Sequence, residues 1–99
     1  MKLFDYNRDK SIKLKEQRGV SFEEVIDALK NNRLLDTLEH PNKKRYGKQR
    51  IFIVEHKGYA YGIPFIEDDK RIFLKTIYPS RKYTKKYLKG GKNEKNKKV

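Results

Sequence analysis

Arg50, Arg81, Lys82 and Tyr83 are the side chains of this 99-residue chain best suited to chemistry on a phosphate. Arg grips a phosphate bidentately, Lys adds a compact charge, and cations aimed at developing negative charge usually lower such a barrier most. A tyrosine beside them can stack on a base or move a proton. Arg50 opens one apolar run and Arg81-Lys82 follow another. A three-stranded antiparallel meander is expected to bring those two ends to one side, one strand apart, with Arg50, Arg81 and Lys82 converging on one phosphate. The alternative is that all three are solvated surface cations, as most Lys and Arg are. Lys43, Lys44, Arg45 and Lys48 before the strands, and Lys85 and Lys86 after them, are candidate contacts to the phosphate backbone of a polyanion. Tyr78, Tyr83 and Tyr87 interleave with the terminal cations. Tyr87, four residues after Tyr83, suits packing of a helix face; Tyr83 is left open between packing and base contact.

Other chemistries find little support. His40 and His56 are the two imidazoles. His56 falls at a hairpin turn, far from Arg50, and His40 in the loop before Pro41 reads as inert although it lies closer to the proposed site. With no cysteine and no helically spaced histidines, neither a disulfide nor a metal site is expected. Glu67-Asp68-Asp69 reads as a charged turn. Paired catalytic carboxylates, a nucleophile elbow and a phosphate-cradling glycine loop are all missing from the sequence, so no small-molecule cofactor is expected.

The charge is lopsided. Residues 1–42 hold 8 Lys+Arg against 8 Asp+Glu, whereas residues 43–99 hold 18 against 5, so the net +13 belongs to the second part. Such a field concentrates polyanions, nucleic acid first, with an acidic protein partner as the competitor. Hydrophobic content of 35% is low for a folded chain, but 12% aromatics and clustered apolar segments supply one small core. The expected organisation is a single domain over residues 1–89 and a basic, disordered tail over 90–99. Charges occupy the N-terminus where a signal peptide needs an apolar run, and no stretch approaches the ~20 apolar residues of a spanning helix, so a cytoplasmic protein without membrane contact is expected.

The elements that must position the cations follow from local signals. Leu3–Tyr6 alternates weakly, and Asn7 caps a thinly apolar helix running to Arg18 before Gly19. Ser21 and Glu24 form a capping box, Val20 and Val25 a hydrophobic staple, and Phe22, Val25, Ile26 and Leu29 one apolar stripe. Asn31-Asn32 stops that helix, and Leu34–Leu38 suits a strand. Runs over 50–55, 59–66 and 71–78 then predict an antiparallel meander. Pro64 cannot donate to a ladder and marks an edge strand or a bulge. Residues 81–89 predict a short cationic helix.

This order resembles a RelE-like toxin, specifically the BrnT family of type II toxin–antitoxin systems. Phe4-Asp5-Tyr6-Asn7 with Lys10 is similar to the family's Phe-x-Trp-Asp-x-x-Lys opening. Gly19-Val20-Ser21-Phe22-Glu23-Glu24-Val25 is similar to its Gly-Val-Ser/Asp-Phe-x-x-Ala segment. Tyr46-Gly47-Lys48-Gln49-Arg50-Ile51-Phe52 and Ile77-Tyr78-Pro79-Ser80-Arg81-Lys82 resemble its Tyr-Gly-x-x-Arg-Phe and Ile-Ile-Ser-x-Arg-Lys stretches. The chain departs from the pattern at Arg18, where the family has His, and at Lys75-Thr76, where it has an extra Arg. The resemblance implies an α+β, RelE-like fold, with N-terminal helices packed on a small antiparallel sheet (the meander, with room for a fourth or fifth strand) and a basic C-terminal helix. It implies a metal-independent endoribonuclease that inhibits translation by cleaving ribosome-associated mRNA, held in check by a cognate antitoxin. Arg50, Arg81, Lys82 and Tyr83 are then its candidate catalytic residues. The alternatives are a non-catalytic basic RNA- or DNA-binding module and a structural basic protein of the ribosome.

Overall fold

The computed structural model describes residues 2–39, 42–46 and 48–89. His40 and the 90–99 tail therefore lie outside the described residues.

The first two helices begin where their caps dictate. Asn7 accepts a hydrogen bond from the Lys10 amide (2.9 Å) and starts α1 (Arg8–Arg18), which Gly19 ends at φ +78°. Only Ser11 and Leu14 of α1 are buried, in keeping with its thin apolar content. Both halves of the capping box form at α2 (Phe22–Lys30): the Ser21 hydroxyl accepts from the Glu24 amide, and the Glu24 carboxylate accepts from the Ser21 amide. Phe22, Val25 and Ala28 are buried, with Ile26 and Leu29 half-buried beside them.

The sheet is larger than a meander. Strands β2 (Leu34–Glu39), β3 (Gln49–His56), β4 (Tyr59–Glu67) and β5 (Arg71–Leu74) form its antiparallel part, with a short helix, α3 (Lys43–Tyr46), between β2 and β3. Lys57 and Gly58 both have positive φ (53° and 80°), as a two-residue hairpin between right-twisted strands requires. The opening strand β1 (Leu3–Tyr6) lies parallel against β5, and β6 (Tyr78–Pro79) adds to β4. The order β1-β5-β4-β3-β2 makes a mixed six-stranded sheet rather than the antiparallel one expected. Parallel pairing of β1 with β5 is a contact between the two ends of the domain, and local sequence carries no signal for it.

Pro64 is not at an edge. It lies in central β4, opposite Ile51 of β3. The break falls in its other neighbour instead: the run expected over 71–78 divides into β5 and β6, and residues 75–77 between them leave the ladder after the Lys75 amide has bonded the Pro64 carbonyl (2.8 Å). A missing N–H in a central strand is tolerated where the facing strand has let go.

The sheet divides the expected single core in two. Leu14, Val20, Phe22, Val25 and Ala28 of the α1–α2 layer pack on Val54, Ile63, Phe65, Leu74 and Ile77. On the opposite face, Ile51, Ile53 and Ala60 pack against Leu35, Leu38, Tyr83, Tyr87 and Leu88. These last three belong to the terminal helix, α4 (Arg81–Thr84) continued by a π-helical turn over Lys85–Lys89. The molecule is thus a three-layer α+β domain.

Candidate nucleic-acid interface

Short hydrogen bonds hold α4 on the sheet. The Ser80 amide donates to the Ala60 carbonyl (2.9 Å), and the Ala60 amide donates to Thr84 Oγ1 (2.8 Å). Thr84, 2% exposed, returns its own proton to the Ser80 carbonyl (2.7 Å), and Ser80 Oγ caps the helix by accepting from the Tyr83 amide (3.2 Å). At the far end the Tyr87 hydroxyl donates to Asp36 of β2, and that bond pushes the phenol up to about 12. Tyr87 is therefore a packing residue, as its spacing predicts. Tyr83 stacks beside it at 6.1 Å between ring centroids and is only half-buried.

With its tyrosines, Thr84 and Leu88 turned to the sheet, this helix presents Arg81, Lys82, Lys85 and Lys86 to solvent. None of the four has a carboxylate within ion-pair distance among the described residues. Lys82 Nζ stands 5.3 Å from the Tyr83 ring centre, and Lys86 Nζ lies 6.0 Å from Tyr83 and 5.3 Å from Tyr87. Next to this patch the Tyr78 ring lies across Gly62, in the space where any side chain at position 62 would collide with it. Burial, followed by the nearby Tyr83, raises the Tyr78 phenol above its ordinary value.

Arg50 does not join these residues, which corrects the expected convergence. It pairs with Phe65, whereas Ser80 bonds Ala60 five residues away along β4, about 17 Å at strand rise. The reason is directional: chain direction reverses twice in a three-stranded meander, so the start of the first strand and the end of the third lie at opposite ends. Arg50 also lies on the α1–α2 face, its guanidinium 5.2 Å from the centre of the Phe65 ring and bonded to Glu67. Glu67 binds Lys2 as well (2.5 Å), and these cations hold its carboxyl below the usual range, Lys2 contributing most.

Lys44, Arg45 and Lys48, all exposed, follow β2 and precede β3 at the Arg50 end, and Lys43 opens α3. A cleft there is lined by Lys48, Arg50 and Lys2 but equally by Glu39, Glu67, Asp68 and Asp69. Among the described residues the cations at the Arg50 end are thus interleaved with carboxylates, whereas those of the terminal helix form no ion pair. The acid beside them is Asp36, which Tyr87 binds and whose carboxyl that bond and, to a lesser degree, the Lys86 charge lower. His56 lies at the far end of β3 from Arg50, as expected, and across the sheet from α4. Its Nε2 is 3.8 Å from Glu24, and its ring meets Tyr61 edge-on. No cluster of metal-ligating side chains occurs among the described residues, and no helix there is long and apolar enough to cross a membrane.

Three contributors to the α4 face escaped sequence reasoning. Gly62 is one, its signal being a glycine inside a strand-like run, which marks close approach of another group. Asp36 is the second, 51 residues from Tyr87 and without a local signal. Phe73 is the third, an aromatic on the half of the sheet that α4 leaves uncovered. Comparison with protein-family models, curated proteins and solved structures finds no match to this chain.

Proposed function

We propose that this chain is an RNA-binding toxin of the RelE-like class that cleaves mRNA, with α4 as its substrate face. The observation that carries the proposal is the α4 patch: four exposed cations outside any ion pair among the described residues, two of them, Lys82 and Lys86, beside the half-buried Tyr83 ring, on a helix hydrogen-bonded to the sheet. Exposed unpaired cations of one sign confer affinity for phosphate. Two N-terminal helices on one face of a sheet centred on the β3–β4 hairpin, with a basic terminal helix on the other, support the class. In the proposed reaction the substrate's 2′-hydroxyl oxygen attacks phosphorus and loses its proton to solvent. Arg81 and Lys82 neutralise the charge gathering on the phosphate oxygens, and the Tyr83 hydroxyl protonates the departing 5′ oxygen. A cognate antitoxin, the partner that the family resemblance brings with it, would neutralise the chain by covering these cations.

A second reading, a non-catalytic RNA-binding module, is favoured by one observation. Arg50, the cation expected to complete the site, lies at the opposite end of the sheet and is engaged by Glu67. The two readings separate by measurement. Expressed in a bacterium, the chain should arrest growth, and the purified chain should cut single-stranded mRNA. Arg81→Ala should abolish both, since losing a cation over a transferring phosphate costs about 3–4 kcal/mol of barrier. Lys13→Ala, an equal charge lost from the opposite layer, should leave both intact. RNA bound but uncut by the unmodified chain would establish the binding module instead.

A further inference from the structure

The sheet face that carries α4 is only half covered. The terminal helix occupies its β2–β3 side and Tyr78 covers Gly62, but Ile66, Phe73 and Leu3 remain 39%, 39% and 71% exposed. Strand alternation and register put all three on this one face: Phe73 pairs directly with Ile66, and Leu3 pairs with Arg71, two residues before Phe73. Arg71 therefore lies on it too, its guanidinium 2.9 Å from Asp5. The aromatic rings of the face fall in a row, Tyr83 on α4, then Tyr78, then Phe73. Tyr78 pairs with Gly62 and Phe73 with Ile66, four residues apart on β4, or about 13 Å. Arg81 and Lys82 stand at one end of the row and Arg71 at the other.

We propose that this open face is a platform for the unpaired bases of single-stranded RNA, with Phe73 as a base-stacking residue. The proposal rests on α4 being an RNA-binding face and names the form of RNA that fits beside it. An exposed ring on a sheet surface, with the cations of the terminal helix at one end of its row, suits an unstacked base whose phosphates run to those cations. A duplex buries its base faces and has nothing to offer Phe73. Apolar surface alone would equally suit a protein segment; the cations of the terminal helix at one end of the row favour the polyanion, while at the other end Arg71 is neutralised by Asp5, the residue paired with Phe73.

The test measures affinity by fluorescence anisotropy for a labelled oligouridine and for an RNA duplex, both at low salt. Phe73→Ala should weaken oligouridine binding roughly 5- to 100-fold, the range of one lost stacking contact, and leave duplex binding within about twofold. Phe73→Leu should lose as much as alanine, because it restores bulk but no π-face, while Phe73→Trp should bind at least as tightly as the unmodified chain. Unchanged melting temperatures of these variants keep the comparison sound. Oligouridine binding by the unmodified chain that Phe73→Ala leaves unaltered would overturn the platform and spare the RNA-binding reading. Full affinity in Phe73→Leu would also overturn it, because apolar bulk rather than a π-face would then suffice at position 73. No RNA binding by the unmodified chain would overturn both.

Discussion

Glu23 collects the hydroxyls that tie the N-terminal elements together. Its carboxylate accepts from the Tyr6 hydroxyl of β1 (2.7 Å) and from Ser11 Oγ of α1 (2.7 Å), while Ser11 Oγ accepts from the Phe22 amide (3.0 Å). These donors, Tyr6 foremost, lower its carboxyl from 4.5 to about 2. A carboxyl whose folded value lies below its unfolded one stabilises the fold above the unfolded value and loses that contribution as pH falls. The loss for Glu23 therefore spans pH 4.5 down to about 2. Tyr6→Phe removes the foremost donor, so the variant should be less stable at neutral pH and its melting temperature should fall less steeply through that window. Parallel acid profiles for the two proteins would mean that the Tyr6 bond does not contribute. Little of this network is legible in sequence, because Tyr6 and Ser11 stand 17 and 12 residues from Glu23 and no spacing rule links them. Ser21 and Glu24, three residues apart, are legible for the opposite reason: their geometry is local.

Elements follow the same division. Both caps, the α2 stripe and the β3–β4 hairpin emerge where turn chemistry and periodicity place them, since each is decided within a few residues. Ser21→Ala should cost on the order of 1 kcal/mol in denaturant unfolding, as loss of an N-cap does. Phe22→Ala, at a fully buried position, should cost roughly 3–5 kcal/mol. Equal small effects would show that α2 is not anchored through Phe22. What the sequence conceals is the arrangement of elements: β1 seated beside β5 and the third strand of the meander split opposite Pro64. Both depend on which strands become neighbours and in which direction they run. The distance from Arg50 to α4, by contrast, already follows from the two reversals of the expected meander. The candidate site divides accordingly. Arg81, Lys82, Lys85, Lys86 and Tyr83 share one short helix and stay together, whereas Arg50 reaches them only through a topology, and the topology takes it elsewhere.

Among the described residues the two helical layers differ in charge. Helices α1 and α2 together hold six Lys+Arg and five Asp+Glu, while residues 81–89 on the other side of the sheet hold five Lys+Arg and no acid. If the four described α4 cations each displace one counterion from single-stranded RNA, log affinity should fall against log salt with a slope of about −3, and Lys82→Ala should lower its magnitude by about 0.7. Lys13→Ala should keep the full slope; an equal reduction in both variants would assign binding to overall charge rather than to α4. The layering has another consequence. A body whose positive charge is displaced to one side experiences a torque in the field of a polyanion, as well as a pull. The protein should therefore rotate before contact and arrive with α4 leading, so that a larger share of encounters begins in a productive orientation than its small size and random tumbling would give.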